Sequence, residues 1–215
     1  MELKHVMLDI ETLGTGTNAA IASIGALTFD PTLGQVMDVR DTRSFHLLID
    51  LEKSKQPGII DPSTVKWWMQ QSDDARKALF GQPADQYQSL GVALDQFKVW
   101  CEQRGATQLW TNGPMFDERI MREAFARNMN PNFPFSYRAS RCFRTIAQMV
   151  EDKGHDLKKL HNSMKAEFGE RGIVRHRAVD DCFTQAYAVC RFYQLLGLAP
   201  VQPITGCSPR PVANV

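Results

Sequence analysis

The sequence predicts an α/β domain with five strands, and two observations predict it. Three strand-like runs precede residue 61 with no room for a helix between them, so they form an antiparallel meander. After them the periodicity reads helices, strand, helix, strand, helices. Length and composition agree. At 215 residues and 43% hydrophobic content, the chain suits one large domain, or one domain with appendages.

The first strand is Val6-Met7-Leu8-Asp9-Ile10-Glu11-Thr12, an apolar run interrupted by two acids. Strand side chains alternate, so Asp9 and Glu11 share a face, with Cα atoms roughly 6.5–7 Å apart. Like charges side by side in a sheet cost free energy unless compensated. A hard divalent cation compensates them, whereas two solvated acids at an exposed strand end are the bland alternative. The segment Thr12–Asn18 is a turn with two glycines and lacks the lysine of a phosphate loop. Ala20–Phe29 reads as a buried strand, and Val36–Asp50 holds a third, centred on Phe45–Ile49.

Asp61-Pro62-Ser63-Thr64 marks a helix start with proline in the first turn. Trp67 and Trp68 follow, read as core or helix-packing residues, with base stacking as the competing role. A second short helix spans Asp73–Phe80. Tyr87–Arg104 carries helical spacing and stops at Gly105. Leu109–Thr111 is a short strand, Phe116–Arg127 a helix, Tyr137–Phe143 a strand and Arg144–Glu151 a helix. Leu157–Phe168 is a basic helix whose lysines read as solvated charge, or alternatively as a phosphate-tracking face. Ala178–Leu196 is the clearest helix, with an apolar stripe from Val179 to Tyr193. Pro200, Pro203, Pro209 and Pro211 then exclude a long helix, leaving a flexible tail or an arm packed on the body or a neighbour.

Charge excludes a globally basic nucleic-acid binder, with 25 basic residues against 24 acidic. Cys101, Cys142, Cys182, Cys190 and Cys207 are odd in number and widely spaced, so they read as reduced thiols, not a disulfide frame or zinc site. No apolar run approaches a membrane span, and the N-terminus enters a strand at once with no secretory signal, so a cytoplasmic protein is expected.

Two further acidic sites lie at element edges. Asp117, in Asn112-Gly113-Pro114-Met115-Phe116-Asp117, opens a helix after a strand, where capping is the plain alternative. The third is His176-Arg177-Ala178-Val179-Asp180-Asp181. Residues five apart on a helix differ by about 140°, so His176 meets Asp181 only from the preceding loop. There a histidine beside a metal-bound acid suits a general base.

Asp-Ile-Glu-Thr, Asn-Gly-Pro-Met-Phe-Asp and His-Arg-Ala-Val-Asp-Asp, in this order, resemble the three motifs of the DEDDh, or DnaQ-like, 3′-5′ exonucleases. The glycine-proline second motif, the Thr64–Trp68 segment and Arg141–Thr145 resemble a narrower group: phage exonuclease A, exonuclease VIII-like enzymes and a mycobacterial-type exoribonuclease. The resemblance covers residues 4–196. It implies a ribonuclease-H-like fold, a central mixed sheet of three antiparallel then parallel strands flanked by helices, with the exonuclease domain at 1–198 and the proline-rich tail at 199–215.

The same resemblance implies that Asp9, Glu11, Asp117 and Asp181 hold two Mg²⁺ or Mn²⁺ ions, with Asp181 and not Asp180 as the fourth ligand. His176 takes the proton of the attacking water. Thr12 and Leu13 hold the terminal nucleotide, Leu13 as a wedge and Thr12 at the 3′ hydroxyl. Asn112 and Phe116 are further substrate contacts, with a core position the competing reading for Phe116. The expected activity is release of mononucleotides from single-stranded DNA 3′ ends, with RNA the close rival and duplex ends disfavoured. A non-catalytic nucleic-acid or partner-binding module of this fold is the rival of a different class, and the full acid set argues against it. A homodimer built partly on the tail is compatible with the sequence, and no membrane partner is expected.

Overall fold

A computed structural model of the chain describes residues 3–38, 41, 44–129, 132–168 and 172–205. A single mixed sheet runs through it. Its strands are β1 (His5–Thr12), β2 (Ile21–Asp30), β3 (Gln35–Val36), β4 (Phe45–Asp50), β5 (Tyr87–Ser89), β6 (Gln108–Thr111) and β7 (Ser140–Cys142). The order is β5-β4-β2-β1-β6-β7, with β3 paired to β2. β1, β2 and β4 form the antiparallel meander, and β6 and β7 add in parallel on the other side of β1.

The sheet is thus the ribonuclease-H-like arrangement the motifs imply, with two more strands than the five expected. β3 is a two-residue extension beside β2. β5 corrects the helical reading of Tyr87: residues Leu48–Asp50 of β4 present an open edge, and Tyr87–Ser89 pair with it before the helix begins at Leu90. Edge pairing satisfies backbone groups that helical periodicity alone does not register. In the same way Tyr137–Ala139 form a 3₁₀ turn, and only Ser140–Cys142 are extended.

The helices are α1 (Pro62–Met69), α2 (Asp73–Phe80), α3 (Leu90–Gln103), α4 (Asp117–Arg127), α5 (Phe143–Asp152), α6 (Leu157–Phe168) and α7 (Ala178–Leu195). The alternation of β1 sorts them between two layers. Val6, Leu8 and Ile10 face α3 and α4, burying Leu94, Phe97, Ile120 and Phe125. Met7 faces the other way, into a layer with Ile146 and Val150 of α5, Met164 of α6 and Phe183 of α7. Asp9 and Glu11 share the parity of Met7, so they emerge on the α7 side. A third cluster seats α1 and α2, through Trp68 and Leu79, against Leu13, Ala20 and Leu48.

Cys101, Cys182 and Cys190 are buried thiols and Cys142 is a half-buried one; Cys207 lies outside the described residues. After α7 the chain lies along β3, where Thr205 exchanges backbone bonds with Gly34 and Val36 and Gln202 donates to the Leu33 carbonyl at 2.7 Å. Pro209 and Pro211 lie outside the described residues. No described helix is long and apolar enough to cross a membrane.

Candidate active site

Three chain segments meet at the C-terminal end of β1. β1 supplies Asp9 and Glu11. The head of α4 supplies Asp117, whose Oδ1 accepts a bond from the Ile10 amide at 3.3 Å. Asp117 is therefore not a helix cap: the cap position is Phe116, and the Asp117 carboxylate turns to the sheet. The head of α7 supplies Asp181, and its approach depends on an absent side chain. Gly25 stands opposite Asp9 in β2, and a Cβ there would lie 2.4 Å from the carbonyl carbon of Ala178 and the nitrogen of Val179. Only glycine lets α7 land directly on the sheet beside Asp9.

His176 sits in the loop ahead of α7, in the left-handed region at φ 64°. Its amide donates to Asp181 Oδ2 at 3.0 Å, which folds the loop back over the helix start. One ligand atom from each of Glu11, His176 and Asp181 falls within 4.8 Å of the others. Asp180, the neighbouring acid, points elsewhere. It is fully buried, accepts from the Val174 amide at 2.9 Å and pairs with Arg177 at 3.4 Å, so it clasps the loop that carries His176.

The electrostatics follow from crowding acids away from water. Withdrawal from water comes first in raising Asp9 well above the usual carboxylate range, followed by the charges of Asp117, Glu11 and Asp181; Gln185 opposes it. Glu11 is raised well above that range by burial, then by Asp181 and Asp117. Burial pushes Asp117 up to about 7 against the Ile10 amide, and Asp181 up to about 6 against the His176 amide. His176 is lowered, by burial and then by Arg175. An all-carboxylate set of this kind, with one imidazole beside it, fits hard divalent cations such as Mg²⁺ or Mn²⁺, which would relieve the repulsion.

Two contributors hold places here that the sequence reading did not assign to them. Gln185 donates from Nε2 to Asp9 Oδ1 at 3.0 Å, while its Oε1 is buried with no protein partner. The available signal was its spacing, one helical turn beyond Asp181. The tryptophan pair is the other. Trp67 packs edge-on to the His176 ring at a centroid distance of 5.0 Å, and Trp68 at 6.0 Å. Trp68 is buried and donates from Nε1 to the Thr12 carbonyl at 2.9 Å, whereas Trp67 stays 41% exposed. α1 reaches this position because the Thr12–Ala20 turn is stitched to the residues before α1: Asp61 N–H to Leu13 O at 2.7 Å, Ile59 N–H to Asn18 O at 2.8 Å.

The remaining sequence candidates line this region in different ways. Thr12 is buried, and its hydroxyl donates to the Gly14 carbonyl at 2.7 Å, leaving only acceptor lone pairs. Leu13 lies in the cluster with Trp68. Asn112 accepts from Arg144 Nε at 3.2 Å. Phe116 is exposed at the head of α4, not in the core.

Comparison with known proteins agrees with this architecture. An exodeoxyribonuclease of Enterobacteria phage T4 is 28% identical over 121 residues, 54% of this chain and 52% of that protein, so the chain spans about half the length of this curated relative. Exonuclease X, solved in complex with 5′-overhanging duplex DNA, aligns with a TM-score of 0.53 at 14% identity, over 90% of this chain and 93% of that one. E. coli exonuclease I, solved in complex with a dT13 oligonucleotide, aligns with a TM-score of 0.55 at 13% identity, over 90% of this chain and 42% of that one. Both likenesses are of fold. The family described as the 3′-5′ exoribonuclease Rv2179c-like domain matches residues 4–192, from the first strand into the last helix. The chain belongs to that family.

Proposed function

We propose that the protein is a metal-dependent 3′-5′ exonuclease that releases mononucleotides from single-stranded ends, with DNA ahead of RNA. The observation that carries the reading is the convergence of Asp9, Glu11, Asp117 and Asp181 with the His176 ring at one end of β1. Asp9, Glu11, Asp117 and Asp181 would hold two Mg²⁺ or Mn²⁺ ions. When bound, such ions acidify the attacking water and neutralise charge on the phosphate and the leaving 3′ oxygen.

The chain's own groups do the rest. His176, depressed by burial and Arg175, keeps a lone pair at neutral pH and takes the proton of the attacking water. As the water oxygen bonds to phosphorus, the bond from phosphorus to the 3′ oxygen breaks. The Trp67 and Trp68 rings pack edge-on against the imidazole and narrow the directions in which it can turn. Asp180 holds the backbone that presents it. At the chain end, Leu13 and the exposed face of Phe116 flank the terminal nucleotide, and Thr12 accepts from its 3′ hydroxyl.

DNA is placed first because the T4 relative is an exodeoxyribonuclease and both solved neighbours were captured with DNA. RNA is the second reading, favoured by the family's description as an exoribonuclease. The two differ at one 2′ hydroxyl. The test uses 5′-labelled single-stranded DNA and RNA of one sequence, with Mg²⁺, Mn²⁺ or chelator and Asp9→Ala as control. A metal-dependent ladder receding from the 3′ end is expected, faster on DNA. A faster RNA ladder reverses the sugar assignment, and intact strands in every metal return the protein to the class of binding modules.

A further inference from the structure

Arg144 stands at the lip of the carboxylate cluster without a carboxylate of its own. Cys142 of β7 pairs with Thr111 of β6, so the chain enters α5 level with the Asn112–Gly113 turn. The pairing is locked from below, where Ser140 donates to the buried Glu118 of α4 at 2.6 Å. Arg144, in the first turn of α5, then reaches back across that turn. Its Nε donates to Asn112 Oδ1 at 3.2 Å. Its Cζ lies 3.6 Å from the point a Cβ on Gly113 would occupy, and Gly113 adopts φ +111°, a conformation side chains rarely take. The loop therefore forms an open seat for the guanidinium.

Some other arginines in the fold are paired with carboxylates, whereas Arg138 and Arg141 donate to neutral groups. Arg122 pairs with Glu118 at 2.7 Å and Arg177 with Asp180 at 3.4 Å. Among the described residues no carboxylate forms an ion pair with Arg144, which is exposed. Its charge is nonetheless felt at Asp117. A neutral amide fixes the direction of the guanidinium without cancelling its charge. With Nε occupied, both Nη groups remain to form the paired donors that match phosphate oxygens.

We propose that Arg144 grips a substrate phosphate one or two linkages upstream of the scissile bond, and so sets the register of the strand over the carboxylates. This rests on the exonuclease reading. The residue is a substrate contact; Asn112 is a positioning residue that acts through it.

The experiment is a cycle between one protein charge and one substrate charge. Wild type, Arg144→Ala and Arg144→Lys are compared on single-stranded oligonucleotides bearing a single neutral methylphosphonate at the second or third linkage from the 3′ end. Circular dichroism melts check that each variant folds. On the all-phosphate strand, Arg144→Ala should raise KM roughly tenfold to a hundredfold, with the loss falling on KM more than kcat. The salt slope of binding should fall by about 0.7, the share of one phosphate contact on a single strand. At one of the two positions the methylphosphonate should slow wild type by a similar factor and Arg144→Ala by none. Arg144→Lys should recover the salt slope but only part of KM.

Penalties that multiply at both positions would mean Arg144 acts through Asp117 and not on the strand, which overturns the proposal. Wild-type KM in Arg144→Ala overturns it as well. A wild type that shortens no strand overturns the exonuclease reading and this one with it, an outcome distinct from the other two.

Discussion

Removing an acid from the cluster should stabilise the metal-free protein, and Asp117→Asn is the sharpest way to show it. Asparagine keeps the shape of the side chain and an oxygen for the Ile10 amide. What it removes is a carboxyl held at about 7 in the fold against an ordinary value of 3.8. The sign follows from linkage. Below about pH 4 the carboxyl is protonated in the folded and the unfolded chain alike, and it costs nothing. Between 4 and 7 the unfolded chain releases a proton that the folded chain keeps, so stability is lost as pH rises. Above 7 the whole penalty stands. One pH unit of displacement is worth about 1.4 kcal/mol, which makes the penalty roughly 4 kcal/mol for Asp117. For a domain of this size that corresponds to roughly 10 °C in Tm.

The assay is thermal unfolding in chelator from pH 5 to pH 8, wild type against Asp117→Asn. His46 titrates in the same window with the opposite sign, because burial and then Arg177 push it down to about 4. It is common to both proteins and cancels in the difference. The variant should melt near wild type at pH 5 and well above it at pH 8. Adding Mn²⁺ should narrow the gap at pH 8, since a ligand at a hundred times its Kd recovers about 2.7 kcal/mol of that penalty only where a site exists to bind it. A chelated wild type at least as stable as the variant at pH 8, or a difference that ignores pH, would refute the argument that these acids are held together for a cation.

Four more outcomes test other parts of the site. Gly25→Ala should cost roughly 3 kcal/mol in denaturant melts and most of the nuclease activity, because a methyl 2.4 Å from the α7 backbone lifts Asp181 away from Asp9. Gln185→Ala should weaken Mn²⁺ binding roughly tenfold in calorimetric titration, because the amide bond that orients Asp9 is lost; unchanged affinity would make Gln185 a packing residue. Asp180→Ala leaves the Val174 amide unpaired and frees the His176 loop, so hydrogen exchange should rise across 172–177 and kcat should fall while Mn²⁺ affinity holds. His176→Ala should lower kcat by roughly a hundredfold or more with Mn²⁺ affinity intact; lost affinity would make the imidazole a ligand, as its place beside Glu11 and Asp181 permits.

What the sequence made legible was whatever depends on short spacing. Asp9 and Glu11 share a face because strands alternate. His176 lies outside the helix that carries Asp181 because five residues span the wrong angle. The Asp73–Phe80 helix falls where its spacing places it. What stayed hidden depends on which segments meet. Tyr87–Ser89 are extended only because β4 offers them an edge. Asp117 looks like a cap until β1 supplies the Ile10 amide as its partner. Asp180 and Asp181 are adjacent in the chain and differ in role because one faces the Val174 loop and the other the sheet.

The tryptophans carry the point furthest. Core packing and a base-stacking surface were posed as rivals for Trp67 and Trp68, yet the pair divides: Trp68 is buried and tied to the Thr12 carbonyl, and Trp67 remains half open against the His176 ring. The wall of the site is continuous with the core that seats α1. Loosening that core at Leu79 or Leu48 would therefore reach the imidazole through Trp68, without touching a single motif residue.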